Sequence, residues 1–519
     1  MKNFRNFAVG LGMVVFTHSA SHSSSSGHYE NVSVSSGPVS GISLGDTTTF
    51  KGIPYAAPPV GELRWKLPQV PKPWSEPLHA YSYGSLCLQP DANLVLVKGT
   101  QGSEDCLTLN IWRPNSNSGS LPVMFFIHGG GNFLGASNQN VLGRNVYDGS
   151  YLAAHGNAVI VTINYRLGPL GFFGHPKLSR ESAYGGSGNY GIYDQLQALR
   201  WVQANIANFG GDPARVTLFG ESAGAIDSLV LIASPLAKGL FSQAIIQSGF
   251  LTEVSQSAGE KLGIDLETSL GCGQSSDTLA CMRTKSAEEI VRTQIPNSGG
   301  QFATRNAIID GQLLKKPVLE TLLSGNFNHI PVIIGTTADE MTVLGPVFGN
   351  LPLTQSDLVK TVDAKWGEEK GSQILSLYPT PSVDYPFPVD AYEALVGDYF
   401  AQCPARRIAR ALEANGVPVW KYVFTHTSDD PYLKPWKAGH TFELPYVFHT
   451  LSVVSSFREF DLADEISHYW TSFANHQDPN ASGAPAWPTN AGMEDRYLQL
   501  NVTTSAQKQY HAALCDFWD

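Results

Sequence analysis

Six stretches of the chain are nearly all apolar rather than alternating: LPVMFFIHGG, NAVIVTINYR, RVTLFG, FSQAIIQSG, HIPVIIGTT and VPVWKYVF. A strand with one wet face alternates, whereas a strand covered on both faces does not. These runs therefore predict buried strands of a sheet with a layer on each side. Between the second and third lies IYDQLQALRWVQANIANFGG, where Ile192, Leu196, Leu199, Val202, Ile206 and Phe209 recur at intervals of 4, 3, 3, 4 and 3. That spacing marks one apolar face of a helix, which Gly210 and Gly211 end. Strands alternating with helices predict a parallel sheet wrapped by helices.

The third run leads into GESAG, with Ser222 between Gly220 and Gly224. This pentapeptide is common by chance, and a small polar residue in a tight turn would satisfy it. Here it follows a predicted strand and precedes GAIDSLVLIA, which can be helical, and that context favours a nucleophile. Glycines two residues either side let the turn tighten until the serine stands clear of the sheet. A serine hydroxyl also needs a base, a group to orient that base, and donors for the developing oxyanion. The first run ends in His128, Gly129, Gly130, Gly131 and Asn132. Glycines there would let backbone N–H groups approach a substrate carbonyl, although a plain flexible turn would read the same way.

Length leaves room for two to four domains or one large catalytic unit, so it does not choose. The formal net charge of −11, with no basic stripe, argues against binding a phosphate backbone. The first 26 residues, MKNFRNFAVGLGMVVFTHSASHSSSS, carry Lys2 and Arg5 before an apolar stretch from Phe7 to Phe16. That pattern predicts a signal peptide over residues 1–20 and a Ser-rich linker over 21–29. No later segment has 18 uninterrupted apolar residues, so stable membrane insertion is not expected. Six cysteines, none in a C-x-x-C or Cys/His metal spacing, predict disulfides in an oxidising compartment rather than a metal site. Sequons stand at Asn31, Asn480 and Asn501 and matter only if the source glycosylates.

From about residue 30 to its end the chain resembles the type-B carboxylesterases, the family that includes cholinesterases and some fungal lipases. The resemblance rests on FKGIPYAAPPVGELRW, SEDCLTLNIW, PVMFFIHGGG, NYRLGPLGF and GNYGIYDQLQALRWVQANIANFGGDPARVTLFGESAG. QAIIQSG, GTTADE, GHTFELPYVF and FANHQDPN follow in the family's order. It implies an α/β-hydrolase fold over residues 30–519, one domain with a mostly parallel central sheet flanked by helices and with large loop and helical insertions. It also implies Ser222 as nucleophile and the backbone N–H groups of Gly130, Gly131 and Ala223 as oxyanion donors. The acid falls on Glu340, with Asp339 as its neighbour and rival. Among 14 histidines, His426, His440 and His449 lie in the right region. The family's base sits on a loop shortly before an acidic residue and an apolar helix, and His440, ahead of Glu443, fits. Ser222, Glu340 and His440 then run in the chain order expected of this fold. By the same resemblance Ser248 hydrogen-bonds behind the triad, Glu221 faces the gorge, and Arg64–Glu104 and Arg166–Asp194 are buried ion pairs. The implied disulfides are Cys87–Cys106, Cys272–Cys281 and Cys403–Cys515.

The implied reaction is two-step hydrolysis of a small-molecule ester through an acyl-enzyme, with no metal or organic cofactor and no nucleic-acid partner. Activity should fall below about pH 6–7, where an ordinary imidazole protonates. Two departures bear on the substrate. Asn132 stands where the family often has Phe, and Phe133 follows; either the pocket mouth is more polar or the aromatic is shifted by one. Between Cys87 and Cys106 there is no Trp, which argues against holding a choline cation. The apolar NLVLVKG in that loop leaves a lipase-like lid open, but an exported esterase for short or medium acyl chains is the expectation. A lipase or polyester hydrolase, or a binding protein that kept the fold without the chemistry, are the alternatives. The sequence leaves the oligomeric state open.

Overall fold

The computed structural model describes residues 27–93, 96–116, 119–141, 143–293, 306–348, 351–480 and 483–519. The expected signal segment, most of the Ser-rich linker and residues 94–95 of NLVLVKG lie outside the described residues. Within them, twelve strands of one sheet follow the chain as β1 (His28–Val34), β2 (Gly37–Leu44), β3 (Thr47–Pro54), β4 (Thr108–Pro114), β5 (Leu121–Ile127) and β6 (Val159–Ile163), then β7 (Gly211–Glu221), β8 (Gln243–Gln247), β9 (Val332–Thr337), β10 (Val419–Phe424), β11 (Arg496–Leu500) and β12 (Ser505–Lys508). Their order across the sheet is β1-β2-β3-β4-β6-β5-β7-β8-β9-β10-β11-β12, and a short strand, Leu78–His79, pairs with β2.

All six apolar runs form strands, and every residue of β5, β6, β8, β9 and β10 is buried. From β6 to β11 each neighbouring pair is parallel. The edges are antiparallel: β1 through β4 and β6 on one side, β11 with β12 on the other. The sheet is therefore mixed at its margins and parallel at its centre. Along β5, Val123, Phe125 and Ile127 join one core while Met124 and Phe126 join the other. Fully burying one such side chain stabilises by about 1.5–3 kcal/mol, so both faces of the central strands hold the layers together.

Helix α1 (Tyr190–Asn205) continues as a 3-10 turn to Phe209 and stops at Gly210, whose φ of 81° an L side chain rarely adopts. Its predicted apolar stripe, Ile192 to Phe209, is wholly buried in the first core. Behind it Arg166 holds Asp194 through two hydrogen bonds of 2.7 Å, and Arg64 grips Glu104 at 2.6 and 2.7 Å. Disulfides join Cys87 to Cys106, Cys272 to Cys281 and Cys403 to Cys515. The last spans 112 residues, which in chain-entropy terms is worth about 5 kcal/mol. Among the described residues no helix is long and apolar enough to cross a membrane.

The parallel registers matter most for the site. Gly220 pairs with Ile127, Glu221 with Gln247, and Thr337 with Phe424, so the carboxyl ends of β5, β7, β8, β9 and β10 lie together. β5 also marks where the strand order reverses, since β6 lies on one side of it and β7 on the other. A crevice outside such a switch point is where ligands enter open α/β sheets.

Candidate active site

Ser222 joins the end of β7 to helix α2 (Ala223–Ala233) at φ 56° and ψ −122°. A non-glycine residue at positive φ is strained, and it persists only where the surroundings fix it. Here the Ser222 N–H donates to Gln247 O at 2.9 Å, and Ser222 O accepts from Ile226 N at 2.9 Å to start the helix. A Cβ on Gly224 would lie 2.0 Å from Ile127 O, so only glycine lets α2 pass the end of β5. The serine is 8% exposed. As the first residue of α2, Ala223 carries an N–H with no partner inside the helix.

The glycine loop closes directly against this elbow. A Cβ on Gly129 would lie 2.5 Å from Glu221 Oε2 and 3.0 Å from Ser222 Cβ. Gly130 and Gly131 come next, and Gly130 O accepts from the N–H groups of Phe133 (3.2 Å) and Leu134 (3.0 Å), which folds the loop back. His128 at its root is buried; burial pushes its imidazole down to about 4, so the ring is neutral, with Nδ1 donating to Gly129 O at 2.8 Å.

Glu340 begins helix α3 (Glu340–Phe348) just past β9. Its Oε1 accepts the Thr337 N–H at 2.9 Å, and its Oε2 lies 2.5 Å from His440 Nδ1. The loop carrying His440, after β10, is pinned by a bridge between Asp339 and Gly439. The neighbouring carboxylate is used for that pinning: Asp339 Oδ2 accepts the Ala438 N–H at 3.2 Å. The two neighbouring acidic residues thus have different partners: Glu340 faces the His440 ring and Asp339 the backbone of its loop. The rival histidines point elsewhere: His426 Nε2 lies 3.2 Å from Glu459, and His449 stacks on Tyr151 with Nε2 3.0 Å from Asp464.

The other edge of the His440 ring faces acid. Nε2 is 3.1 Å from Glu221 Oε1, yet neither atom has a hydrogen-bond partner among the described residues. Glu443, ahead of helix α4 (Leu444–Val447), accepts from Gln247 Nε2 at 3.0 Å, and Gln247 in turn accepts from Trp470 Nε1 at 3.1 Å. Burial favours the neutral form of both Glu221 and Glu443; Glu443 and Glu340 raise Glu221 further, and Glu340 raises Glu443. Burial pulls the His440 imidazole down, but Glu221 and Glu340 outweigh it and lift it to about 9.

Ser248 follows β8 at φ 52°, with its N–H on Gly335 O at 2.8 Å. Its buried Oγ has no hydrogen-bond partner among the described residues, so the bond implied for it is not formed. Nor does Asn132 line a polar mouth: it is 3% exposed, and its Nδ2 donates to buried Asp227. Sequence reasoning did not find Gln247, Trp470 or Asp227. A glutamine closing an all-apolar strand was the one available signal, since such a group needs a buried partner.

Residues 28–518 match the model of the carboxylesterase family. The chain is 38% identical over 474 residues to a fumonisin B1 esterase of Sphingopyxis macrogoltabida, covering 87% of this chain and 83% of that protein. It is 35% identical over 475 residues to the para-nitrobenzyl esterase of Bacillus subtilis, covering 89% and 92%, and 35% identical over 502 residues to the pyrethroid hydrolase Ces2e of Rattus norvegicus, covering 91% and 85%. A solved PNB esterase superposes with a TM-score of 0.81 at 32% identity, covering 95% of this chain and all of that one. The α/β-hydrolase fold, the site at the sheet's carboxyl edge and this likeness over nearly the whole chain agree: the chain belongs to the carboxylesterase family and is a carboxylic ester hydrolase.

Proposed function

We propose that Ser222, Glu340 and His440 form the catalytic triad of an exported serine esterase that favours short to medium acyl chains. The observation that carries the triad is the His440 ring held by Glu340 at Nδ1 while Nε2 keeps no hydrogen-bond partner among the described residues. A triad base is oriented by an acid on one nitrogen and keeps the other available to accept the serine proton. His440 Nε2 takes the Ser222 proton as Oγ attacks the ester carbonyl. The N–H groups of Gly130, Gly131 and Ala223 receive the negative oxygen. The imidazolium then protonates the leaving alcohol, and a water deprotonated by the same nitrogen releases the acid and frees Ser222. No step calls for a metal or organic cofactor. Export is supported by the N-terminal apolar segment and the three disulfides. A recessed serine and buried partners suit a dissolved ester better than an emulsion surface.

The test is a p-nitrophenyl ester series from acetyl to palmitoyl, with Ser222 labelling by a fluorophosphonate followed by mass spectrometry. A kcat/KM peak at short or medium chains and a single adduct on the Ser222 peptide are expected. A peak at palmitoyl would replace this reading with that of a lipase. No adduct and no hydrolysis would replace it with that of a binding protein.

The electrostatics move the expected pH limb. Only the neutral imidazole accepts a proton, so activity is present above the folded pKa of His440 and lost as pH falls through it. Glu221 and Glu340 raise that pKa, so kcat/KM should still be climbing between pH 7 and pH 9, above the limb expected of an unperturbed ring. Glu221→Gln removes the largest raising charge and should shift the limb down by about one unit. A limb that stays in place in the variant would show that Glu221 does not set the base.

A further inference from the structure

The glycine loop has no side chain of its own between His128 and Asn132, so those two flanking residues are its nearest side-chain anchors. Both converge on one tyrosine. Tyr165 OH donates at 2.8 Å to His128 O and lies 3.2 Å from Asn132 Oδ1, while its ring stacks on His128 with centroids 4.5 Å apart. The other end of the Asn132 amide reaches across the elbow: Nδ2 donates to Asp227 Oδ1 at 3.1 Å. Asp227 lies on α2, five residues after Ser222, and its Oδ2 accepts from Gln195 Nε2 of α1 at 2.6 Å. Asp227 and Gln195 are completely buried, and among the described residues Asp227 forms no ion pair. Burial pushes the Asp227 carboxyl up to about 7. A core serves packing better with an apolar side chain than with a carboxyl outside any ion pair, whose desolvation among the described residues is offset by these two donors.

We propose that the Asn132–Asp227 bridge fixes the Gly130 and Gly131 N–H groups over Ser222, making both residues positioning residues for oxyanion stabilisation. The proposal rests on reading those N–H groups as the oxyanion donors. The bridge ties the loop to the same helix that begins at Ser222 and Ala223, so donors and nucleophile share one frame. A displacement of about 1 Å in such a frame can cost roughly 100-fold in rate. Asn132 also occupies φ 59°, a conformation asparagine tolerates far better than Phe or Leu.

Asn132→Gly allows that backbone conformation without strain and removes the whole side chain, the bridging amide included. Per titrated active site, kcat on p-nitrophenyl acetate should fall roughly 10- to 100-fold with KM within about threefold, short of losing a whole oxyanion donor. The inhibition constant of an alkyl trifluoromethyl ketone, whose serine adduct carries the same oxyanion, should rise by the same factor. The exchanged pair Asn132→Asp with Asp227→Asn restores a donor and an acceptor across the bridge and should recover kcat to within about fivefold of wild type. A role confined to structure would lower Tm and the titratable fraction but leave kcat per site and ketone affinity unchanged; that result overturns the proposal. So does an exchanged pair no better than Asn132→Gly. If Ser222→Ala remains active, the underlying reading fails instead, and the two failures are distinct.

Discussion

Ser222→Ala is expected to lower kcat on p-nitrophenyl acetate by roughly 10,000- to 1,000,000-fold, as in other enzymes whose serine, base and acid act as a unit. The substitution removes one oxygen and keeps the Cβ, so it leaves the packing against Gly129 and the backbone bonds to Gln247 and Ile226 unchanged. Alanine at φ 56° bears about the same strain as serine. Circular dichroism and Tm should therefore stay close to wild type, which separates lost chemistry from lost fold. What persists is the electrostatic effect of the glycine loop and Ala223 on an ester attacked by water, worth roughly 1,000-fold over the uncatalysed rate. Fluorophosphonate labelling should vanish together with activity. Retention of even a few per cent of wild-type turnover, with contamination excluded by active-site titration, would mean that another group forms the acyl intermediate.

The centre of the fold was legible because its strands are covered on both faces and so read as unbroken apolar runs. The margins were not. In β1 only Val32 and Val34 of seven residues are buried, and β2 and β3 are rich in Gly, Ser and Thr, so their pattern resembles loop. The nucleophile and the glycine loop were legible because their backbone requirements write themselves into short glycine-flanked motifs. The base and the acid carry no such local signature. Three histidines lie between residues 426 and 449, and only tertiary contacts send two of them to Glu459 and Asp464 and one to Glu340. Side chains that support the site from afar were illegible for the same reason. Asn132 and Asp227 stand 95 positions apart, and each looks in isolation like an ordinary polar residue.

Glu340→Gln should lower kcat by roughly 10,000-fold, about 5.5 kcal/mol, with KM little changed. Its volume is the same, and Gln Oε1 can still accept the Thr337 N–H that Glu340 Oε1 now accepts at 2.9 Å. Its amide nitrogen is then left facing His440 Nδ1 as a donor. The ring must accept there, which puts its proton on Nε2, the atom that has to be bare to act as base. Losing the Glu340 charge also withdraws stabilisation from the imidazolium formed during attack. Raising the pH would not restore the rate, because the neutral ring itself is held in the wrong tautomer. Glu221→Gln makes the opposite case: it removes a charge of the same sign from the same ring, yet holds neither nitrogen by a hydrogen bond, so it should move the pH limb and spare the plateau. Full pH profiles of the two variants separate these effects. A Glu340→Gln enzyme that recovers near-wild-type kcat at high pH would show that Glu340 acts only through its charge, and the assignment of the orienting acid would pass to another carboxylate of the cluster, Glu443 or Glu221.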